Sequence, residues 1–210
     1  MVKGKAMQGL KKLQTSPNLQ IYRKLLHLLM GAAALLIGFS VAQFYGLEVL
    51  LYGAFICFII LLLIDLLRVE YKVNFPLYSL FTKEKEKTNL HALTFAFLAA
   101  IIVIMMYEFK IALAAVAMSI FSDGIAAIIG IRFGRHRIWN GKSIEGSLAS
   151  LATNLLIGYF IVGAWYIFIP MAVIATLTEL VITHMDDNFV VPIFSGFVGQ
   201  LILLLTVVYL

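Results

Sequence analysis

The chain has 210 residues, 62% of them hydrophobic and only 13% charged, and its mean hydropathy is +1.00. That composition excludes a soluble globular domain, because runs of about 20 apolar residues are the mark of bilayer-spanning helices. The net charge of +5 matters through its placement, and the one cysteine, Cys57, lies in an apolar run and excludes an intrachain disulfide.

Seven apolar stretches follow one another at 25–44, 47–67, 90–107, 111–131, 147–169, 170–184 and 190–210. The sixth is short and starts at Pro170, which suggests a tilted or partly spanning segment. The expected fold is an all-α integral membrane protein of about seven transmembrane helices. Basic residues before the first stretch and Ser40-Val41-Ala42 weakly resemble a signal peptide, but the polar leader would be unusually long. The first stretch is therefore read as a span.

Orientation follows from the lysines and arginines. With the N-terminus inside, segments 1–24, 68–89, 132–146 and 185–189 hold 15 of the 16 basic residues, and only Lys110 falls outside. The N-terminus is thus expected in the cytoplasm and the C-terminus outside, with Phe44, Tyr45, Tyr107, Phe109, Trp165 and Tyr166 as an outer aromatic belt. Two parts are expected: a basic cytoplasmic tail, 1–24, near anionic headgroups, and one transmembrane catalytic domain, 25–210. The mixed run Lys83-Glu84-Lys85-Glu86-Lys87 reads as a solvated helix or loop. The outer loops are short, so any chemistry belongs on the inner face.

Residues 122–147 carry the strongest signal. Asp123 is a lone carboxylate in an uncharged apolar run, and an ionised side chain at membrane depth costs a few kcal/mol or more, which makes it a functional-site candidate. It lies nine residues before Arg132, roughly 13 Å along a helix, so a water-filled inlet from the inside is required. Asp123, Ala127, Gly130 and Gly134 share one helical stripe. That stripe is either a small-residue seam for close helix packing or a bare face that admits a polar ligand, with Asp123 on a divalent cation. The loop behind it supplies Arg132, Arg135, His136, Arg137 and Lys142; Arg135 and Arg137 are read as topology signals. Lys142-Ser143-Ile144-Glu145-Gly146-Ser147 places lysine, hydroxyl and carboxylate at a helix start, where free N–H groups favour anions. An N-cap at Ser143 is the competing reading.

The sixth stretch carries Glu179, and Asp186-Asp187-Asn188 after it go against the basic trend of the inner side. Mg²⁺ takes oxygen ligands, commonly one or two carboxylates plus substrate phosphates, so Asp123, Asp186 and Asp187 are candidate metal ligands, with Asn188 beside them. Pairing of the acids with the basic loop is the alternative. Arg23, His27 and Gly31 share a stripe on the first span. Glu48 and Glu108 lie at the outer rim, Asp65 can pair with Arg68, and Asn89 and His91 carry no assigned role. Together the acids and Lys142 suit a nucleotide triphosphate arriving with Mg²⁺ from the cytosol and a lipid arriving sideways, since phosphoryl transfer needs mostly positioning and charge neutralisation. No nucleic-acid partner is expected.

At these residues the chain resembles the polyprenol kinase family, which includes dolichol kinase, phytol kinase and the CTP-dependent diacylglycerol kinases. The matching blocks are Arg23-Lys24-Leu25-Leu26-His27 with Gly31, Ser122-Asp123-Gly124-Ile125-Ala126-Ala127 with Gly130 and Gly134, Lys142-Ser143-Ile144-Glu145-Gly146-Ser147, and Glu179 with Asp186-Asp187-Asn188 and Pro192. The resemblance implies a CTP- and Mg²⁺-dependent kinase acting on the hydroxyl of an isoprenoid or glyceride lipid. Asp123, Lys142, Glu145, Asp186 and Asp187 would form its polar core, Arg132 and Ser143 would support it, and Glu145 or Glu179 would orient or deprotonate the hydroxyl. Arg23 and His27 are expected to contact substrate, and Gly130, Gly134 and Asn188 to border the nucleotide. Ser122, where the family often has glycine, and the glycine-free start His91-Ala92-Leu93-Thr94 depart from its pattern. The expected location is the cell membrane of a prokaryote, with the active site cytoplasmic. A phosphatidate cytidylyltransferase shares the Asp-containing helix and Lys-x-x-Glu-Gly turn but carries Lys-Asp and His-Gly-Gly signatures near its C-terminus, where this chain has Asp186-Asp187-Asn188. A small transporter coupled through Asp123 and Glu179 is the reading from another class, although no internal repeat is visible and the polar groups lean to one side.

Overall fold

The computed structural model describes residues 17–71, 73, 90–138, 141–182 and 184–209. The Lys83–Lys87 run, Asn89 and most of the basic tail lie outside the described residues. The rest forms seven helices: α1 (Pro17–Tyr45), α2 (Leu47–Glu70), α3 (Ala92–Met106), α4 (Phe109–Phe133), α5 (Ile144–Ile161), α6 (Trp165–Val181) and α7 (Asp187–Tyr209). Five of them are long and apolar enough to cross a membrane, while α3 and α6 are shorter apolar helices. The chain is an all-α membrane protein.

Two boundaries differ from the apolar pattern. Helix α1 begins at Pro17, so Arg23 and Lys24 are helical rather than part of a tail. The fifth and sixth stretches divide at 162–164 rather than at Pro170, which lies inside α6. The break is made by Gly163, whose φ of 78° is left-handed and whose N–H bonds to the Gly158 carbonyl, 3.1 Å. Glycine tolerates that conformation at a helix end without steric cost. Because every residue around it is apolar, hydropathy carries no trace of the turn.

Helix α4 is the hub, packing against α1, α3, α5, α6 and α7. Apart from Ile111 and Met118, its buried residues are small, among them Ala112, Ala114, Ala115, Ala117, Ser119, Ser122 and Gly124. In lipid, helices associate through close van der Waals approach rather than hydrophobic exclusion, and small residues permit that approach. Leu28 of α1 fills the space over Gly124, and Ile120 packs over Gly31 of α1. Away from the site, the core gathers Ile111, Met118, Met171 and Val191. Helices α1 and α2 sit at the perimeter with exposed apolar faces; only Ala54 and Asp65 of α2 are buried. Side chains cap the helix starts: Glu108 accepts from the Lys110 and Ile111 amides, Ser143 from Gly146 N, and Asp186 from Asn188 N.

Candidate active site

One end of the bundle holds a cavity of about 560 Å³ lined by α1, α3, α4, the α4–α5 loop, α5, Glu179 of α6 and Asn188 of α7. The first turns of α3, α5 and α7 all border it, through Ala92 and Leu93, Gly146 and Ser147, and Asn188. Three positive helix ends therefore face one space, an arrangement that favours an anion. The charged side chains add to this: Arg23, Lys24, Arg137 and Lys142 against Asp123 and Glu179.

Two clusters organise the acids. In the first, Lys24 pairs with Asp123, Nζ to Oδ2 2.5 Å, joining α1 to α4. In the second, Lys142 Nζ donates to the Glu179 backbone carbonyl and lies 3.4 Å from Glu179 Oε1 and 3.6 Å from Asp187 Oδ2. The buried Glu179 carboxylate also accepts from Ser150 Oγ, 2.8 Å, and Ser122 Oγ, 3.5 Å. Ser122, where the family often has glycine, thus supplies a donor to an acid on another helix. Asp187 lies within electrostatic reach of Lys142, Asp123, Glu179 and Asp186, so the two clusters meet.

The loop between α4 and α5 folds back on itself. Arg137 pairs with Ser143 as an isolated antiparallel bridge, with Ile138 N to Lys142 O and Ile144 N to His136 O both 2.9 Å, and Gly141 turns the chain at φ 76°. This hairpin carries Lys142 to the cavity. It also brings Arg137 there, donating to Gly141 O at 2.7 Å and toward Gly130 O at 3.4 Å.

Of the residues singled out in the sequence, Arg23, His27, Asp123, Gly130, Lys142, Ser143, Glu179 and Asn188 line the cavity. Others stand apart. Arg132 is exposed in the last turn of α4, its guanidinium 5.7 Å from the Phe133 ring centre; Arg137, read as a topology signal, takes the wall instead. Glu145 is held by His136, Nδ1 to Oε1 2.8 Å, and accepts from the His136 amide, whereas Glu179 lines the cavity with Asp123. Asp186 accepts from both Asn188 N and Asn188 Nδ2, 2.9 Å each, and caps α7. Among the described residues no group of three or more His, Cys, Asp or Glu side chains is placed to cage an ion. Sequence reasoning missed Lys24, which looks like one more topology lysine; its partner is 99 residues away.

Gly134 resolves the two readings of the small-residue stripe. A Cβ there would lie 2.7 Å from Ser143 Oγ and 2.9 Å from Ser143 Cβ, and one on Gly146 would lie 2.9 Å from Ala126 O. The Gly134 end is a packing seam between α4 and α5, whereas Gly130, a turn earlier, also borders the cavity. Gly134→Ala is therefore expected to destabilise the protein by about 1–3 kcal/mol through overpacking, read as a lower midpoint of thermal unfolding in detergent. An unchanged midpoint would mean that the loop gives way freely.

No family model matches the chain, and no solved structure matches it. It is 36% identical over 109 residues to a probable phytol kinase 2, chloroplastic, of Oryza sativa subsp. japonica, covering 44% of this chain and 36% of that protein. It is 34% identical over 110 residues to a probable phytol kinase 3, chloroplastic, of Glycine max, covering 44% and 34%. Those matches span about a third of the phytol kinases' own length. It is also 31% identical over 184 residues to an uncharacterised protein of Methanocaldococcus jannaschii, covering 85% of this chain and 92% of that one. Over 44% of its length the chain is thus similar to phytol kinases, and over 85% of it to an uncharacterised archaeal protein.

Proposed function

We propose that this protein is a kinase that transfers the γ-phosphate of CTP, carried with Mg²⁺, to the hydroxyl of a membrane lipid alcohol of the polyprenol, dolichol, phytol or diacylglycerol type. The observation that carries this reading is the cavity wall, where four cationic side chains and three helix N-termini surround two carboxylates. Such a wall neutralises a polyphosphate and keeps acids at hand for the acceptor. The alcohol class comes from the phytol kinases and the choice of CTP from the family resemblance. In this reading the cavity, which lies at the lysine- and arginine-rich end, faces the cytoplasm, the side that the positive-inside rule favours for such an end.

In this reading the lipid oxygen attacks the γ-phosphorus, the bond from that phosphorus to the β–γ bridging oxygen breaks, and CDP leaves. The hydroxyl proton passes to a carboxylate of the cavity. Lys142, Arg137 and Arg23 hold the phosphates and balance the charge that develops on the leaving diphosphate. Mg²⁺ bound to the phosphates would supply further neutralisation, and one or two carboxylates suffice to receive it. Asp123 fits that need, with Asp187 in electrostatic reach of it.

The test is purified protein in lipid vesicles with γ-labelled CTP and a panel of lipid alcohols. Label is expected in an organic-soluble phosphomonoester. Label released as pyrophosphate, with cytidine in the lipid, would replace this reading with cytidylyl transfer. A parallel panel with γ-labelled ATP reads the nucleotide preference.

A further inference from the structure

The cavity lining also has an apolar part, made by Met30 of α1, Leu93 and Ala96 of α3, and Ala126 and Ala127 of α4, and His91 at the start of α3 shares that lining. Helices α1 and α3 both contribute to this lining; among the described residues they touch one another little, and each packs on α2 and on α4. Met30, Leu93 and Ala96 thus make an apolar seam on the cavity lining between α1 and α3, and Met30 is 48% exposed.

His91 is held in one orientation at the start of α3. It is the N-cap of α3, and its Nδ1 accepts from the Leu93 amide at 3.2 Å. A neutral imidazole that accepts at Nδ1 carries its proton at Nε2, so toward any ligand it is a donor. The position is fixed by Asp65, fully buried, which accepts from His91 N at 2.8 Å and Thr94 Oγ1 at 2.6 Å while pairing with Arg68 at 2.9 Å. Three donors around one carboxylate compensate its burial and anchor the start of α3 to the end of α2. Neither residue is used by the phosphate chemistry above.

We propose that the α1–α3 seam is the acceptor subsite, in which His91 donates from Nε2 to the oxygen of the lipid alcohol while the first carbons of its tail lie against Met30, Leu93 and Ala96. This rests on the kinase reading and names the part of the cavity that the alcohol occupies. The oxygen accepts from His91 with one lone pair, keeps the other for the γ-phosphorus, and gives its proton to a carboxylate. A cavity of about 560 Å³ lies within the size of a single small-ligand site, roughly 300–1,000 Å³. Shared with a nucleotide, it leaves room for only the hydroxyl end of the lipid. The remaining tail lies in the bilayer, so the protein reads the alcohol and its nearest carbons and is indifferent to tail length beyond them.

His91→Ser tests this while retaining a hydroxyl able to cap α3. In vesicles containing the full chain, KM for the lipid alcohol is expected to rise about tenfold, the scale of one hydrogen bond, with KM for CTP unchanged and kcat changed less. Lengthening the alcohol's tail at its far end should leave kcat/KM unaltered. A rise in KM for CTP with the alcohol's KM unmoved would place His91 on the nucleotide and overturn the assignment. A long-chain alcohol bearing a diazirine near its hydroxyl gives a readout that needs no turnover. Crosslinks at Met30, Leu93 or Ala96 that weaken in His91→Ser sustain the subsite even if no alcohol is phosphorylated, in which case the kinase reading alone falls. Crosslinks confined to the outer faces of α1 and α2 overturn the subsite even where the kinase reading stands.

Discussion

Asp123→Asn is expected to lower turnover about a hundredfold or more, the scale of losing one preorganised charge-stabilising group. The substitution is close to isosteric, so packing of α4 on α1 at Gly124 and Gly31 should persist. An amide oxygen can still accept from Lys24, whose ammonium stands 2.5 Å from Asp123. What disappears is the negative charge. Both partners keep about a fifth of their side-chain surface exposed, so the stability cost of leaving Lys24 unbalanced is screened and should be small beside the loss of rate. Two measurements on purified protein separate these effects: lipid phosphorylation under saturating substrates, and the unfolding midpoint. Activity within a fewfold of the parent would remove Asp123 from the chemistry and leave it as a clamp between α1 and α4. Lys24→Met completes a double-mutant cycle. Where Lys24 serves only to hold Asp123, the double variant matches Asp123→Asn; a further loss assigns Lys24 a contact of its own with the phosphates.

The same pair marks the limit of sequence reading. The spans were legible because apolar runs of about 20 residues separated by basic loops admit little else in a membrane. Asp123 was legible because a lone carboxylate among apolar residues is costly, and Lys142 because it stands at a helix start beside polar neighbours. Lys24 was not, since a lysine bordering the first span does the same topological duty as the four lysines and one arginine before it. Arg132 and Arg137 could not be told apart either. Their difference lies in where α4 ends, at Phe133, and in the backward fold of the loop through Arg137 and Ser143. Glu145 and Asp186 have the chemistry expected of site acids, but each finds a nearer partner, His136 and Asn188, and short-range capping takes precedence over a site assembled across the chain. Asp65 pairs with Arg68, as the three-residue spacing suggests, and its carboxylate also holds the start of α3, 26 and 29 residues away, which spacing does not reveal.

Lys142→Ala is expected to raise KM for CTP by about ten- to a hundredfold, equivalent to roughly 1.4–2.8 kcal/mol of binding, and to lower the unfolding midpoint as well. Both follow from one cation serving two acids. Lys142 bonds the Glu179 carbonyl and lies 3.4 Å and 3.6 Å from the carboxylates of Glu179 and Asp187. Removing it leaves a buried glutamate beside an aspartate with no shared counter-charge at that wall, which repels an incoming polyphosphate and strains the junction of α5, α6 and α7. Lys142→Gln separates the two consequences. Its amide can still donate to the Glu179 carbonyl, so part of the stability should return, but the charge stays absent and the weak use of CTP should remain. Inserted protein with normal CTP dependence in both variants would deny Lys142 any role on phosphate and make it a structural tie. Recovery of CTP use in the glutamine variant would assign its effect to the hydrogen bond rather than the charge. The lysine's value to the site is the neutralisation of two acids that must also face a triphosphate, and an uncharged donor cannot supply it.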